Sequence, residues 1–195
     1  MQTKRQSEII ESALELIHTN GIQGLTMKNL AKKIGISEPA IYRHFESKIE
    51  ILISILNNFK ELAEMISGLM ETYEGTAIEK IRFIFTKMIG IFTETPSMIS
   101  VIFSEEIFKN EEILKAKIYE ILNIHTQTIE DILLKGQEEK NVRKDIDEKS
   151  LTLIAMGSFR LLVKKWDIKN NDSDLKIEGE KLITVINKII EIQAK

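Results

Sequence analysis

Apolar residues recur every three or four positions along most of the chain, a spacing that predicts helices rather than strands. Ile9, Ile10, Ala13, Leu14, Leu16 and Ile17 form a first stripe, which Asn20-Gly21 is placed to stop. Thr26 then caps a short helix with Leu30, Ala31 and Ile34 inward, and Gly35 ends it. Ser37 opens a third, with Pro39 tolerated in its first turn and Ile41 and Phe45 on one side. A much longer fourth helix, capped by Ser47, runs from Lys48 to about Tyr73, ahead of Glu74-Gly75. A fifth covers about Ala77–Thr95 and stops at Pro96, because the residue before proline is driven out of the α region. Further helices are expected over roughly Ser97–Phe108, Glu111–Glu139, Asp147–Asp167 and Leu175–Gln193. The expectation is an all-α chain of about nine helices: a three-helix N-terminal head (1–47) and a helical body (48–195).

Composition narrows the class. The 195 residues are 43% hydrophobic and 29% charged, with two prolines and nine glycines, which suits a folded helical protein. The lack of cysteine excludes disulfides, zinc-thiolate fingers and thiol chemistry. No apolar run approaches the roughly 18 residues of a membrane span, and no signal-peptide pattern opens the chain, so a cytoplasmic protein without membrane contact is expected. Net charge is −3, unevenly spread: residues 1–50 carry seven basic against six acidic side chains, the remainder 20 against 24. A slightly basic head on an acidic body fits local contact with DNA.

The head holds the informative motif, Thr26-Met27-Lys28-Asn29-Leu30-Ala31 through Ile41-Tyr42-Arg43-His44-Phe45. Gly35-Ile36-Ser37 separates two short helices: Gly35 suits a left-handed close, Ile36 plugs the angle, and small Ala31 permits a close crossing. One short helix is thereby presented end-on with few large apolar residues outside, as a major-groove reader requires. Here the chain resembles the TetR family of bacterial regulators, through Gly24, Thr26, Leu30, Ala31, Gly35, Ile36, Ser37, Ala40, Ile41, Tyr42, His44, Phe45, Ser47 and Lys48. The resemblance is specific over residues 5–55; beyond that it rests on helix number and length. Glu38-Pro39 stands where many members carry Lys-Gly or Arg-Gly, so operator preference does not carry over. What the resemblance implies is phosphate contact by Thr26, Tyr42, His44 and Lys48, with Lys4, Arg5 and Lys28 as auxiliaries. It also implies that Ser37, Glu38, Pro39, Ala40 and Arg43 face the groove, where Arg43 can read guanine and Glu38 can accept from cytosine.

The body is left to sense and to pair. Met65, Met70, Phe83, Phe85, Met88, Phe92, Met98, Phe103 and Phe108 make it rich in pliable apolar side chains. The expected ligand pocket is Met65, Met70, Met88, Phe92, Phe103, His125, Phe159 and Arg160, taking a small apolar or amphipathic effector, with Thr126 a further polar group. On the last two long helices, Leu151, Ala155, Ser158, Phe159, Leu162, Leu182, Ile186 and Ile189 are expected to form a dimer seam. The family pairs these helices as a four-helix bundle, which implies a homodimer on a near-palindromic double-stranded operator. The function expected is a transcriptional repressor released by its effector. Two rivals stand beside it. A TetR-like protein for nucleoid or division control would use a protein partner. A helical di-iron enzyme would need two Glu-x-x-His pairs, and only Glu15-x-x-His18 exists among three histidines. No metal, cofactor or catalytic residue is expected.

Overall fold

A computed structural model describes residues 2–103, 111–169 and 172–192. Among these it forms nine helices and no extended strand: α1 (Lys4–Gly24), α2 (Met27–Ile34), α3 (Glu38–Tyr42), α4 (Lys48–Thr72), α5 (Ala77–Glu94), α6 (Ser97–Ile102), α7 (Glu112–Glu138), α8 (Glu148–Ile168) and α9 (Leu175–Ile190). The all-α expectation holds. Of the expected sixth helix, residues 104–110 lie outside the described residues, Phe108 among them.

Side-chain caps set most starting points, because the first N–H groups of a helix have no partner within it. Thr3 with Gln6, and Thr76 with Glu79, close reciprocal capping boxes on α1 and α5. The Asp147 and Asp174 carboxylates accept backbone N–H groups at the starts of α8 and α9. At α4 the Ser47 hydroxyl accepts the Glu50 N–H at 3.2 Å, and the Glu50 carboxylate accepts the Glu46 N–H.

Packing divides the described chain into two compact units, cut elsewhere than the functional boundary expected at residue 47. The first comprises residues through Glu61 and the described part of Pro96–Ile121. Its core gathers Ile9, Ile17, Leu25, Leu30, Ile41, Phe45, Ile51, Ile55, Val101 and Leu114. Polar ties join its elements: His18 to Ser100 at 3.1 Å, Lys117 to Asn57 at 2.7 Å, and Lys60 to Glu120 at 2.7 Å.

The second unit comprises Leu62–Thr95 and the described residues from Leu122 onward. The Phe85 and Phe159 rings stack with centroids 4.8 Å apart, and Phe92 approaches Phe159 at 6.3 Å. The segment after α7 wraps the end of α9. Gln137 donates to the carbonyls of Arg143 and Ile146, while the Arg143 backbone and guanidinium donate to the carbonyls of Ile190 and Ile189. Buried Lys80 donates from Nζ to the Met70 carbonyl at 2.9 Å, satisfying one of the orphan acceptors in the last turn of α4. Trp166, also buried, donates its indole N–H to the Ser173 carbonyl at 2.7 Å.

Gly136 of α7 sits at a tightly packed point of this unit. A Cβ there would lie 2.5 Å from Val142 Cγ2, 2.6 Å from Ala77 Cβ and 2.8 Å from Asn141 Oδ1. The Ala77 methyl cannot rotate away. Gly136→Ala is therefore expected to destabilise by about 1–3 kcal/mol, the usual cost of overpacking. Gly68→Ala, in open space on α4, should gain up to about 1 kcal/mol from helix propensity. Urea unfolding of the two variants beside the wild type measures both; equal midpoints for all three would contradict the expectation.

Candidate nucleic-acid interface and effector region

The head presents α3 by fixing its two ends. Gly35 closes α2 in the left-handed conformation (φ 77°, ψ 32°), with its N–H on the Ala31 carbonyl. A residue with a Cβ would be strained there. Ile36 is half-buried in the angle, as expected, and Ile41 and Phe45 are fully buried. With that side of α3 in the core, Ser37, Glu38, Pro39, Tyr42 and Arg43 are exposed, and Ala40 and His44 are half-buried. Nine sequence-predicted DNA residues therefore lie on, or next to, two short helices of one unit.

Their hydrogen bonding shows what each has left to offer. Ser37 occupies the N-cap position of α3, yet its hydroxyl makes no capping bond. The Thr26 hydroxyl accepts the Asn29 N–H at 3.0 Å, which leaves its own proton to donate. Lys28 is exposed. His44 is held through its backbone carbonyl, which accepts Gln6 Nε2 at 3.4 Å. Lys48 differs from the rest: its Nζ donates to the Ile22 carbonyl at 2.7 Å, and burial pulls its pKa below the ordinary lysine value. Gln6 and Glu50 were not legible as members of this site. Gln6 looks like a solvated polar residue until its partner 38 positions away is known, whereas Glu50 bonds locally, to the Glu46 N–H.

The expected ligand residues do not form one group. Met70, Phe92 and Phe159 are buried in the second unit, where Phe159 joins Phe92 and Phe85, one of the body's pliable side chains but not of the expected pocket. Met88 and His125 are half-buried there, and burial holds the His125 pKa below its usual value, favouring the neutral ring. Met65 and Arg160 are exposed, and Phe103 belongs to the first unit. A cleft of about 190 Å³ involves Met70, Lys80, Ser67, Thr128, Ile132 and Gly136. A broader open groove of about 810 Å³ runs past Glu64, Gly68, Thr126 and Asp131.

Of the residues expected at a dimer seam, Leu151, Ala155, Phe159 and Ile186 are buried in their own unit, and Ser158, Leu162, Leu182 and Ile189 are half-buried. The most apolar stripe of each helix is the one its own core takes. A second stripe faces outward, with Leu153, Ile154, Leu161 and Ile168 exposed on α8 and Ile177 and Val185 exposed on α9. Gly157 lies within the α8 stripe with open space above it.

Known proteins place this architecture. A family model described as bacterial regulatory proteins, tetR family, matches residues 9–55. A second, described as MAATS-type transcriptional repressor, C-terminal region, matches residues 77–192. The fatty acid metabolism regulator protein of Bacillus subtilis (strain 168) is 25% identical, over 98% of this chain and 96% of its own length. The nucleoid occlusion factor SlmA of Vibrio atlanticus is also 25% identical, over 80% of each chain. The solved structure of FadR from Bacillus subtilis in complex with stearoyl-CoA has the same fold, with a TM-score of 0.79 at 22% identity over 97% of this chain and 100% of that one. The exposed recognition helix and the two matched regions lead to one conclusion: the chain belongs to the tetR family of bacterial regulatory proteins and is a DNA-binding transcriptional regulator.

Proposed function

We propose that this regulator is a homodimeric repressor that leaves its operator when the body takes up a long-chain acyl ligand. Residues 1–47 act as the DNA-binding domain and 48–195 as the ligand-binding and dimerising body. The carrying observation is the exposed face of α3, whose inner side is locked by Ile41 and Phe45 while its Ser37 hydroxyl makes no capping bond. In this reading Thr26, Lys28, Tyr42 and His44 hold phosphates, and Ser37, Glu38, Pro39, Ala40 and Arg43 meet base edges. The work is done on DNA in the cytoplasm, and no catalytic step is assigned. Tyr42→Phe should weaken binding to all duplexes alike, whereas Arg43→Ala should relax preference at one or two base pairs at a cost of about 1–3 kcal/mol. Binding to a randomised duplex pool, read by sequencing, separates the two effects; unchanged affinity and preference in both variants would remove α3 from the interface.

The outward stripes of α8 and α9 support the dimer. Exposed Leu153, Ile154, Leu161, Ile177 and Val185 offer a contiguous kind of apolar surface that a lone protomer does not need, and Gly157 permits a close helix crossing. Leu161→Glu or Val185→Glu should give a folded monomer by sedimentation that holds a palindromic duplex far more weakly, because only about 3–4 side chains of one head reach base edges. Wild-type protein sedimenting as a monomer, free and on DNA, would refute the dimer.

For the effector, support comes from the acyl-CoA bound by the B. subtilis protein and from the Phe85, Phe92 and Phe159 cluster in this chain. A ligand shifts the equilibrium only through unequal affinity for the two conformations, so release must be measured, not binding alone. Stearoyl-CoA, but not free coenzyme A, should displace the protein from its duplex. Phe92→Trp should blunt that release at least tenfold with DNA affinity nearly intact. A protein indifferent to acyl-CoAs of all chain lengths would redirect the search to a protein partner.

A further inference from the structure

Lys48 is the first residue of α4, and three physical costs attend it. A cation at a helix N-terminus opposes the positive end of the helix dipole. Partial burial strips some of its hydration and lowers its pKa. It has no ion-pair partner among the described residues, and desolvation is the sole cause acting on it. What compensates is one short bond, from Nζ to the Ile22 carbonyl, across 26 positions of sequence.

That carbonyl is available because α1 ends at Gly24: the Thr26 N–H that would continue the helix bonds the Gly24 carbonyl instead, leaving Ile22 among the orphan acceptors of the last turn. Gly21 adopts φ 67° and ψ 179°, outside the helical region, and the last turn of α1 resumes at a different angle. The Ile22 carbonyl accepts a long bond, 3.3 Å, from the Leu25 N–H and keeps a lone pair for Lys48. The next carbonyl but one, Gly24, is held by Asn29 Nδ2 at 2.9 Å. The corner between α1 and α2 is thus pinned by one side chain from α2 and one from α4. On the other side of Lys48, Ser47 and Glu50 fix the joint that follows α3.

We propose that Lys48 is a positioning residue: by bonding the Ile22 carbonyl left open at the end of α1, it sets the angle of the reading helices, rather than binding a phosphate. The first residue of α4 thereby carries both flanks of the helix pair with it. The inference rests on α2 and α3 as the DNA interface, and it assigns Lys48 a different task from its neighbours. Its effect falls on recognition of the correct sequence, where the angle of α3 matters, and spares sequence-independent attraction.

The test uses full-length Lys48→Met, which keeps the stem and removes the donor. A duplex selected by the wild type from a random pool is compared with a scrambled one, across potassium chloride concentrations. Positioning predicts at least a tenfold loss on the selected duplex, less than about a twofold change on the scrambled one, and an unchanged salt slope. A phosphate contact predicts instead that the slope shrinks by about 0.9 for each head and that both duplexes weaken together. That pattern would overturn the proposal. So would a lowered melting temperature with the selected-to-scrambled ratio intact, which marks a purely structural role. A wild type that binds no duplex would defeat the interface itself, a separate failure. Should the variant not fold, the wild type still decides: the Lys48 ammonium should keep its through-hydrogen-bond coupling to the Ile22 carbonyl carbon on DNA, and a coupling to phosphorus in its place would refute the assignment.

Discussion

A helix of five residues cannot sustain itself, and the DNA-reading surface proposed for this protein hangs on one. Nucleating a helical turn fixes several dihedral angles for a single hydrogen bond, so α3 draws nothing useful from propagation. It exists because Ile41 and Phe45 are taken into a core built by α1, α2, α4 and α6. Its backbone bonds show the strain of so short a run: Ala40 N–H reaches the Ser37 carbonyl at 2.9 Å in a tight turn, while Ile41 N–H reaches the same oxygen at 3.4 Å. Everything that shapes that core therefore shapes the proposed reading surface. The polar residues outside are free to vary in chemistry because none of them holds the helix in place.

The same logic explains what could be read from the sequence and what could not. Gly35, Ser37, Ile41 and Phe45 announce the turn and its buried side because each has a local reason to be where it is. Helix starts at Thr26, Thr76 and Asp147 are equally local, since a cap bonds within three residues. Lys48, Gln6 and Lys80 bond carbonyls 26, 38 and 10 positions away, and no periodicity records such partners. The α8 and α9 stripes show a different limit. Each helix carries two apolar faces, and the richer one, with Leu151, Phe159 and Ile186, had already been claimed by its own unit. A count of apolar residues ranks the faces by hydrophobicity, whereas an interface is whatever apolar surface folding leaves over.

The second unit holds its helices together by polar clamps at their ends as much as by its aromatic centre. The stretch after α7 is a clear case: Gln137 and Arg143 together occupy four backbone carbonyls, and Arg143 also forks onto Asp145 at 2.8 and 2.6 Å. That ion pair keeps the Asp145 carboxyl below, and the Arg143 guanidinium above, their ordinary pKa values. With Asp145 exposed and Arg143 half-buried, it matters for geometry more than for energy. It aims the guanidinium at the end of α9, so that α8 and α9 depart from one clamped point.

Trp166 stands at the far end of that helix pair, and it is the chain's one tryptophan. Its ring is buried, and its N–H is committed to the Ser173 carbonyl in the turn that leads into α9. Any tryptophan emission from this protein therefore originates at the α8–α9 corner, with no second fluorophore of its kind to average over. A change in colour or intensity is a local report on that corner's hydration and on the indole bond. The protein carries its own optical label where its two last helices turn.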